Sequence, residues 1–168
     1  RQAAGLVTGQ RVPDPRRSRR GALTAPYLDT SFITPLLLKE STSSDVEACV
    51  GKIPAGSLYI SHWTALELVS VVAREVRMKR LTESDAHIVL AEFDVLTSDS
   101  LNVLMPTVAD FALAREYVER FATGLRGGDA LHLAIAANHG AKRILTLDAG
   151  FIDAGKLLRL PVTAGIRP

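Results

Sequence analysis

The sequence predicts an α/β fold, a parallel sheet covered by helices on both faces, and three observations carry that prediction. Five short apolar runs suit buried strands: "PYLD", "SLYIS", "LNVLM", "RILTLD" and "LPVTA". Longer stretches with helical spacing of apolar residues alternate with them, the pattern of strand–helix–strand units. The chain has 168 residues, 47% of them hydrophobic, enough for one compact domain with a substantial core.

The elements follow in order. Residues 1–24 hold Pro, Gly and Arg with little periodic apolar content and no apolar core of the kind a signal peptide needs. They read as a flexible Arg-rich arm, an upstream extension or an added segment, ahead of one domain over residues 25–168. The first strand ends at Asp29, and helical spacing then covers Thr34–Lys39 and Ser44–Lys52. After "SLYIS", two neighbouring helices, Trp63–Arg80 and Glu83–Leu96, form a hairpin between the second and third strands. Leu81 and Thr82 make its break, with Thr82 or Ser84 as the cap. A helix over Val108–Phe121 follows the third strand, the glycine turn "RGG" opens a helix over Asp129–His139, and a short helix over Ala149–Lys156 precedes the last strand.

Charge is divided unevenly. Residues 1–24 carry six arginines against Asp14, a net of +5, while residues 25–168 carry 14 basic and 17 acidic side chains, a net of −3. A slightly acidic domain does not grip nucleic acid by bulk charge, so any such contact is local or uses the arm. Cys49 is the single cysteine, which excludes an internal disulfide and a cysteine-based zinc site and fits a reducing, cytoplasmic compartment. No apolar run is long enough to span a bilayer.

Four acids fall in apolar settings. Asp29 closes the first strand, Asp148 closes "RILTLD", Asp129 opens "DALHLAIAAN", and Glu67 lies early in "WTALELVSVV" between Leu66 and Leu68. In a parallel α/β sheet, strand ends and the starts of the helices beside them share one edge, where such folds bind ligands. Each acid also has a local explanation. Asp29, Asp129 and Asp148 suit helix caps, and Thr64 with Glu67 matches a capping box. Four caps leave unexplained why Glu67 sits among leucines and valines, where an unpaired carboxylate is costly to desolvate. Asp110 and Asp153 default to surface roles.

Carboxylates facing one pocket repel each other, and need a hard cation or a shared proton. Oxygen-only ligands favour Mg²⁺ or Mn²⁺, which assists phosphodiester hydrolysis by activating water and stabilising developing charge. Thr30, Ser31 and Thr146 are hydroxyls beside these acids, suited to hold a carboxylate or simply to pack. His62, His87, His132 and His139 make no ligand cluster, and His132, one turn beyond Asp129, reads first as a helix-face histidine. Gly124, Gly127 and Gly128 lack the Lys-Ser/Thr ending of a nucleotide-binding P-loop. Trp63 reads as packing under the sheet edge before base stacking. Arg74, Arg77, Lys79 and Arg80 make a basic helix end, which complements the dipole and is placed to touch RNA or an acidic partner.

"YLDTSFI", "SHWTALELVSV", "LRGGDALHLAIA" and "ILTLDAGF", in that order, resemble a PIN domain, and more narrowly the VapC-type ribonuclease toxins of bacterial toxin–antitoxin pairs. The resemblance covers residues 26–163. It implies a central parallel five-stranded sheet with flanking helices, and an acidic pocket that binds Mg²⁺ or Mn²⁺ and cuts RNA internally. Carried over residue by residue, it assigns catalysis and metal binding to Asp29, Glu67, Asp129 and Asp148, with Ser31 and Thr146 in support. The fourth acidic place varies in that family, so Asp148 is a weaker ligand or reaches the metal through water. A homodimer and a VapB-type antitoxin are also implied. The other readings are an inactive PIN-like module whose acids hold a cation or a partner's arginine, and a phosphoryl-accepting α/β domain. The second of these lacks a pairing lysine.

Overall fold

The computed structural model describes residues 25–166; the expected arm over residues 1–24 lies outside the described residues. Five strands form one all-parallel sheet in the order β3-β2-β1-β4-β5: β1 Tyr27–Leu28, β2 Leu58–Ser61, β3 Leu101–Leu104, β4 Ile144–Leu145 and β5 Val162–Thr163. The helices are α1 Thr30–Ile33, α2 Ser43–Val50, α3 His62–Arg77, α4 Glu83–Ser100, α5 Val108–Glu119, α6 Gly127–Asn138 and α7 Ala149–Leu157. The helical hairpin expected after the second strand is α3 and α4. No helix among the described residues is long and apolar enough to cross a membrane.

Alternation along the central strands builds a core on each face. Tyr27 and Ile144 point to one side, with Leu133, Ile135 and Phe151. Their neighbours Leu28 and Leu145 point to the other, with Phe32, Ile33, Ile60, Leu68 and Phe93. Because side chains alternate at every residue, two-residue strands suffice to pin both layers. Helix α6 buries every residue from Ala130 to Ala136, so it is a core helix rather than an amphipathic surface one.

Several boundaries differ from the sequence expectation, for local reasons. β1 and β2 are closed by helices, α1 starting after one intervening residue, Asp29, and α3 directly after β2, whereas β3 and β4 end in turns that lead to α5 and α7. The helix expected over Thr34–Lys39 begins earlier, at Thr30, since the Asp29 carbonyl accepts from Phe32 and Ile33 N–H. It ends in a 3₁₀ turn over Thr34–Leu36 with Pro35 in its first turn. Helix α3 stops at Arg77, and Lys79 takes a left-handed φ of 58° in the break. Thr82, as expected, caps α4 by accepting from Asp85 N–H. Asp110, expected at the surface, is fully buried: it closes a capping box with Thr107 and accepts from Asn138 at 2.7 Å, tying α5 to α6.

The sheet turns at β1. Its neighbours β2 and β4 lie on opposite sides, and the chain crosses from one half of the sheet to the other between β3 and β4. That makes the carboxyl ends of β1 and β4 a topological switch point, where open parallel sheets form a crevice. At the far edge, Gly155 lets α7 lie directly against β5, since a Cβ there would overlap Val162. Gly155→Ala is therefore expected to destabilise the fold by about 1–3 kcal/mol in chemical denaturation.

Candidate active site

The crevice at the switch point is acidic. Asp29, Glu67, Asp129 and Asp148 all line one groove of about 1170 Å³. Asp29 stands just past β1 and is almost fully buried. Its Oδ2 accepts from Ser31 Oγ and Thr146 Oγ1, each at 2.6 Å, which fixes that oxygen and leaves Oδ1 free of hydroxyl partners. Ser31 and Thr146 are themselves anchored to the β4–α7 turn, accepting from Leu147 N–H at 2.8 Å and Asp148 N–H at 3.1 Å.

Glu67 is only half-buried, and its neighbours Leu66 and Val69 are 57% and 43% exposed. The capping box at the start of α3 belongs to Ser61 and Thr64 instead, so Glu67 is free for the crevice. Its Oε2 accepts from Thr30 Oγ1 and pairs with His132 Nε2, both at 2.6 Å. Gly128 gives the carboxylate room: a Cβ there would sit 2.8 Å from Glu67 Oε1. Asp129 lies in the first turn of α6, whose cap position is Arg126, and Asp148 takes the cap position of α7, accepting from Phe151 N–H at 2.9 Å. The local explanation thus holds for Asp148, whose Oδ1 is occupied, and not for Glu67 or Asp129.

His132 is not the helix-face histidine that the sequence suggests first. It is 1% exposed, not on a helix surface, and lies buried behind Asp29 and Glu67. Nδ1 meets the Tyr27 hydroxyl at 2.8 Å, and Tyr27 in turn meets Ser61 Oγ at 2.9 Å. Nε2 faces both Glu67 and, at 3.5 Å, Asp29 Oδ1. Burial disfavours the imidazolium, but the Tyr27 oxygen and the Glu67 and Asp29 carboxylates outweigh it and push His132 up to about 10. The one sequence signal was its place one turn after Asp129 in an otherwise apolar run. Tyr27, a buried strand residue with a hydroxyl to satisfy, was the other end of the same clue.

The electrostatics divide the acids. For Glu67, burial pulls upward, but the His132 bond and charge, with Thr30, hold it below the usual carboxylate range. For Asp129, burial and repulsion from Asp29, Asp148 and Glu67 hold it above that range. His132 therefore compensates one side of the crevice and leaves the other with excess negative charge. Asp29, Glu67 and His132 each offer a ligand atom within 4.8 Å of the others. Since Nε2 already meets Glu67, the free oxygens of Asp29 and Glu67, with Asp129 and Asp148, are the donors that fit a hard cation.

The excess charge has a measurable consequence. A carboxyl raised in the folded state, as in Asp129, contributes stability below its unfolded value and loses it as pH rises through the raised one. A bound cation cancels that loss. Saturating Mn²⁺ is expected to raise Tm by about 5–10 °C near pH 7, and by clearly less near pH 5, where protons compete with the cation for the raised Asp129 carboxyl. Equal gains at both values in a thermal melt would contradict it.

Comparison with known proteins agrees with this geometry. The sequence profile of the PIN domain matches residues 27–157. The chain belongs to the PIN domain family. Solved structures share its fold. VapC20 of Mycobacterium tuberculosis, described as a Sarcin-Ricin loop cleaving toxin, superposes with a TM-score of 0.65 at 19% identity, covering 86% of this chain and 100% of that one. FitAcB from Neisseria gonorrhoeae gives 0.62 at 21%, covering 83% and 97%. VapBC-1 from nontypeable Haemophilus influenzae gives 0.61 at 17%, covering 84% and 98%. No curated protein sequence matches the chain. The PIN domain's five-stranded parallel sheet, expected from the resemblance, is the sheet observed.

Proposed function

We propose that this PIN domain is a metal-dependent endoribonuclease of the VapC toxin type, held inactive by a VapB-type antitoxin. The observation that carries the reading is the crevice itself. Four carboxylates line one groove; Asp29 has one oxygen held by two hydroxyls, and Glu67 has one held by the Thr30 hydroxyl and His132, so each keeps a second oxygen with no hydroxyl donor. The likeness to VapC20, described as a Sarcin-Ricin loop cleaving toxin, and to the VapBC-1 structure supports the biological setting.

In this reading Asp29, Glu67, Asp129 and Asp148 hold Mg²⁺ or Mn²⁺, which when bound supplies an activated water and stabilises charge on the phosphodiester. Ser31 and Thr146 hold Asp29 Oδ2, so Oδ1 is the oxygen left for the cation. Thr30 and His132 do the same for Glu67. Helix α6 presents Asp129 from its first turn, where the positive end of the helix also favours a bound phosphate. A second cleft of about 750 Å³, lined by Trp63, Arg126 and Phe151 among others, shares Glu67, Asp129 and Asp148 with the main groove. The acids therefore lie where two open channels meet, and a strand entering by one can leave by the other. That favours internal cutting over trimming from an end.

The alternative, an inactive module that uses the crevice for a cation or a partner's arginine, draws on one observation. The His132 imidazolium already supplies a cation within 2.6 Å of Glu67. A homodimer is part of the proposal, supported by the exposed apolar side chains of Met105, Val108 and Phe111 around the start of α5.

Labelled mixed RNA incubated with the purified chain separates the readings. Internal cuts with Mg²⁺ or Mn²⁺ that stop in EDTA are expected. Cutting that continues in EDTA, or its absence with every RNA and metal tried, overturns the nuclease.

A further inference from the structure

One face of α3 joins the acidic crevice to a group of cations. Glu67, Ser70, Val71, Arg74 and Arg77 all line the main groove, at the three- and four-residue spacings that a helix stacks on one face. At about 1.5 Å of rise per residue, Arg74 lies roughly 10 Å and Arg77 roughly 15 Å along the axis from Glu67. Lys39, which follows the 3₁₀ turn, lines the same groove from a different segment of the chain.

The charges there are not all spent on each other. Arg80 is tied to Glu75, with Nη2 2.8 Å from Oε1, and Arg74 reaches the same carboxylate only at 3.5 Å. Arg77 and Lys39 are exposed, and among the described residues neither has a carboxylate partner. Completing the dipole of α3 accounts for arginines in its last turn. It does not account for Lys39 turning into the same groove. The groove is thus negative at the sheet edge and net positive at its far end, where Lys39, Arg74, Arg77 and Arg80 outnumber Glu40 and Glu75, and α3 sets the distance between the two.

We propose that Arg74, Arg77 and Lys39 form a phosphate-holding subsite for the substrate strand. It takes the backbone about three and four nucleotides from the bond that is cut, at about 3.4 Å of rise per stacked nucleotide. It reads phosphate and not base, and it acts on one side of the cut only. The subsite rests on the nuclease reading above. It gives an acidic crevice, which on its own repels a polyanion, a means of retaining one. The cost of holding a phosphate near four carboxylates is offset by cations a fixed distance away.

The test uses the full chain and a set of end-labelled RNAs that share one cut site and are trimmed nucleotide by nucleotide from either end. For the wild type, trimming one end to fewer than about four nucleotides from the cut lowers the cleavage rate about tenfold or more, and trimming the other end to the same length does so far less. In the Arg74→Gln/Arg77→Gln double variant, long and short RNAs are cut at nearly the same rate. Its cleavage of long RNA also depends less steeply on salt, the log–log slope falling by about 1.4 for two lost single-strand phosphate contacts. The Arg77→Lys variant, which keeps the charge, retains the length dependence. A double variant that folds normally and keeps the full length dependence and salt slope overturns the subsite while leaving the nuclease standing. So does a double variant that cuts RNA as the wild type does but no longer binds poly-glutamate, which assigns this face to an acidic protein partner. If the wild type cuts no RNA of any length, the nuclease reading falls and the subsite falls with it.

Discussion

Asp29→Asn is expected to lower metal-dependent RNA cleavage by about a thousandfold, near 4 kcal/mol of transition-state stabilisation, while the protein stays folded. Ser31 and Thr146 both donate to Oδ2, so the site is built to hold a carboxylate in one orientation and to present its other oxygen. An amide keeps the shape and loses the charge. Its nitrogen cannot accept from two hydroxyls, so the amide would turn its oxygen toward them and offer a donor to the cation. The check is the cleavage rate of labelled RNA at saturating Mn²⁺, with the melting curve as a control. A rate within about tenfold of the wild type would remove Asp29 from the chemistry.

His132→Ala is expected to cost about 3 kcal/mol of stability in EDTA, a fall in Tm of about 6–12 °C. The substitution leaves Asp29 and Glu67 facing each other without the buried cation and leaves the Tyr27 hydroxyl without its imidazole partner. The pH dependence has a definite sign. Because the folded state pushes His132 up to about 10, its contribution is full below the unfolded value near 6.5 and is lost progressively as pH rises through about 10. The gap between wild type and variant therefore narrows with rising pH. Combining His132→Ala with Glu67→Gln is expected to cost less than the sum of the two, since the orphaned charge is gone. Equal melting of wild type and His132→Ala in EDTA would show that the imidazole carries no such burden.

Much of this was legible from residue order. The apolar runs locate all five strands, and the four acids stand where a parallel sheet gathers its strand ends and helix starts. Strand lengths were less legible. Apolar runs such as "RILTLD" continue past the last strand residue: Thr146 still donates its N–H to Thr163 of β5 but turns its hydroxyl to Asp29, and Leu147 packs in the turn. The start of α1 is legible in Asp29 as a helix cap, although the capping atom is its backbone carbonyl and not its side chain. Asp110 and His132 share one reason for being misread. Each is a polar residue whose partner lies on a distant element, Asn138 for the first and Tyr27 with Glu67 for the second. A polar side chain inside an apolar run asks for such a partner, but the run does not say where it is. Glu67 was singled out for burial among apolar neighbours. Leu68 is buried, but Leu66 and Val69 are exposed, and the acid is distinguished by its two hydrogen-bond donors instead.

Everything proposed for the crevice at the β1–β4 switch point requires that it hold a divalent cation through these acids. Calorimetric titration of the wild-type chain with Mn²⁺ at neutral pH, beside Asp29→Asn and Glu67→Gln, tests that most directly. A saturable isotherm in the wild type that both substitutions weaken about a hundredfold or more is the predicted result. Identical isotherms in all three proteins, or none in the wild type, would contradict it.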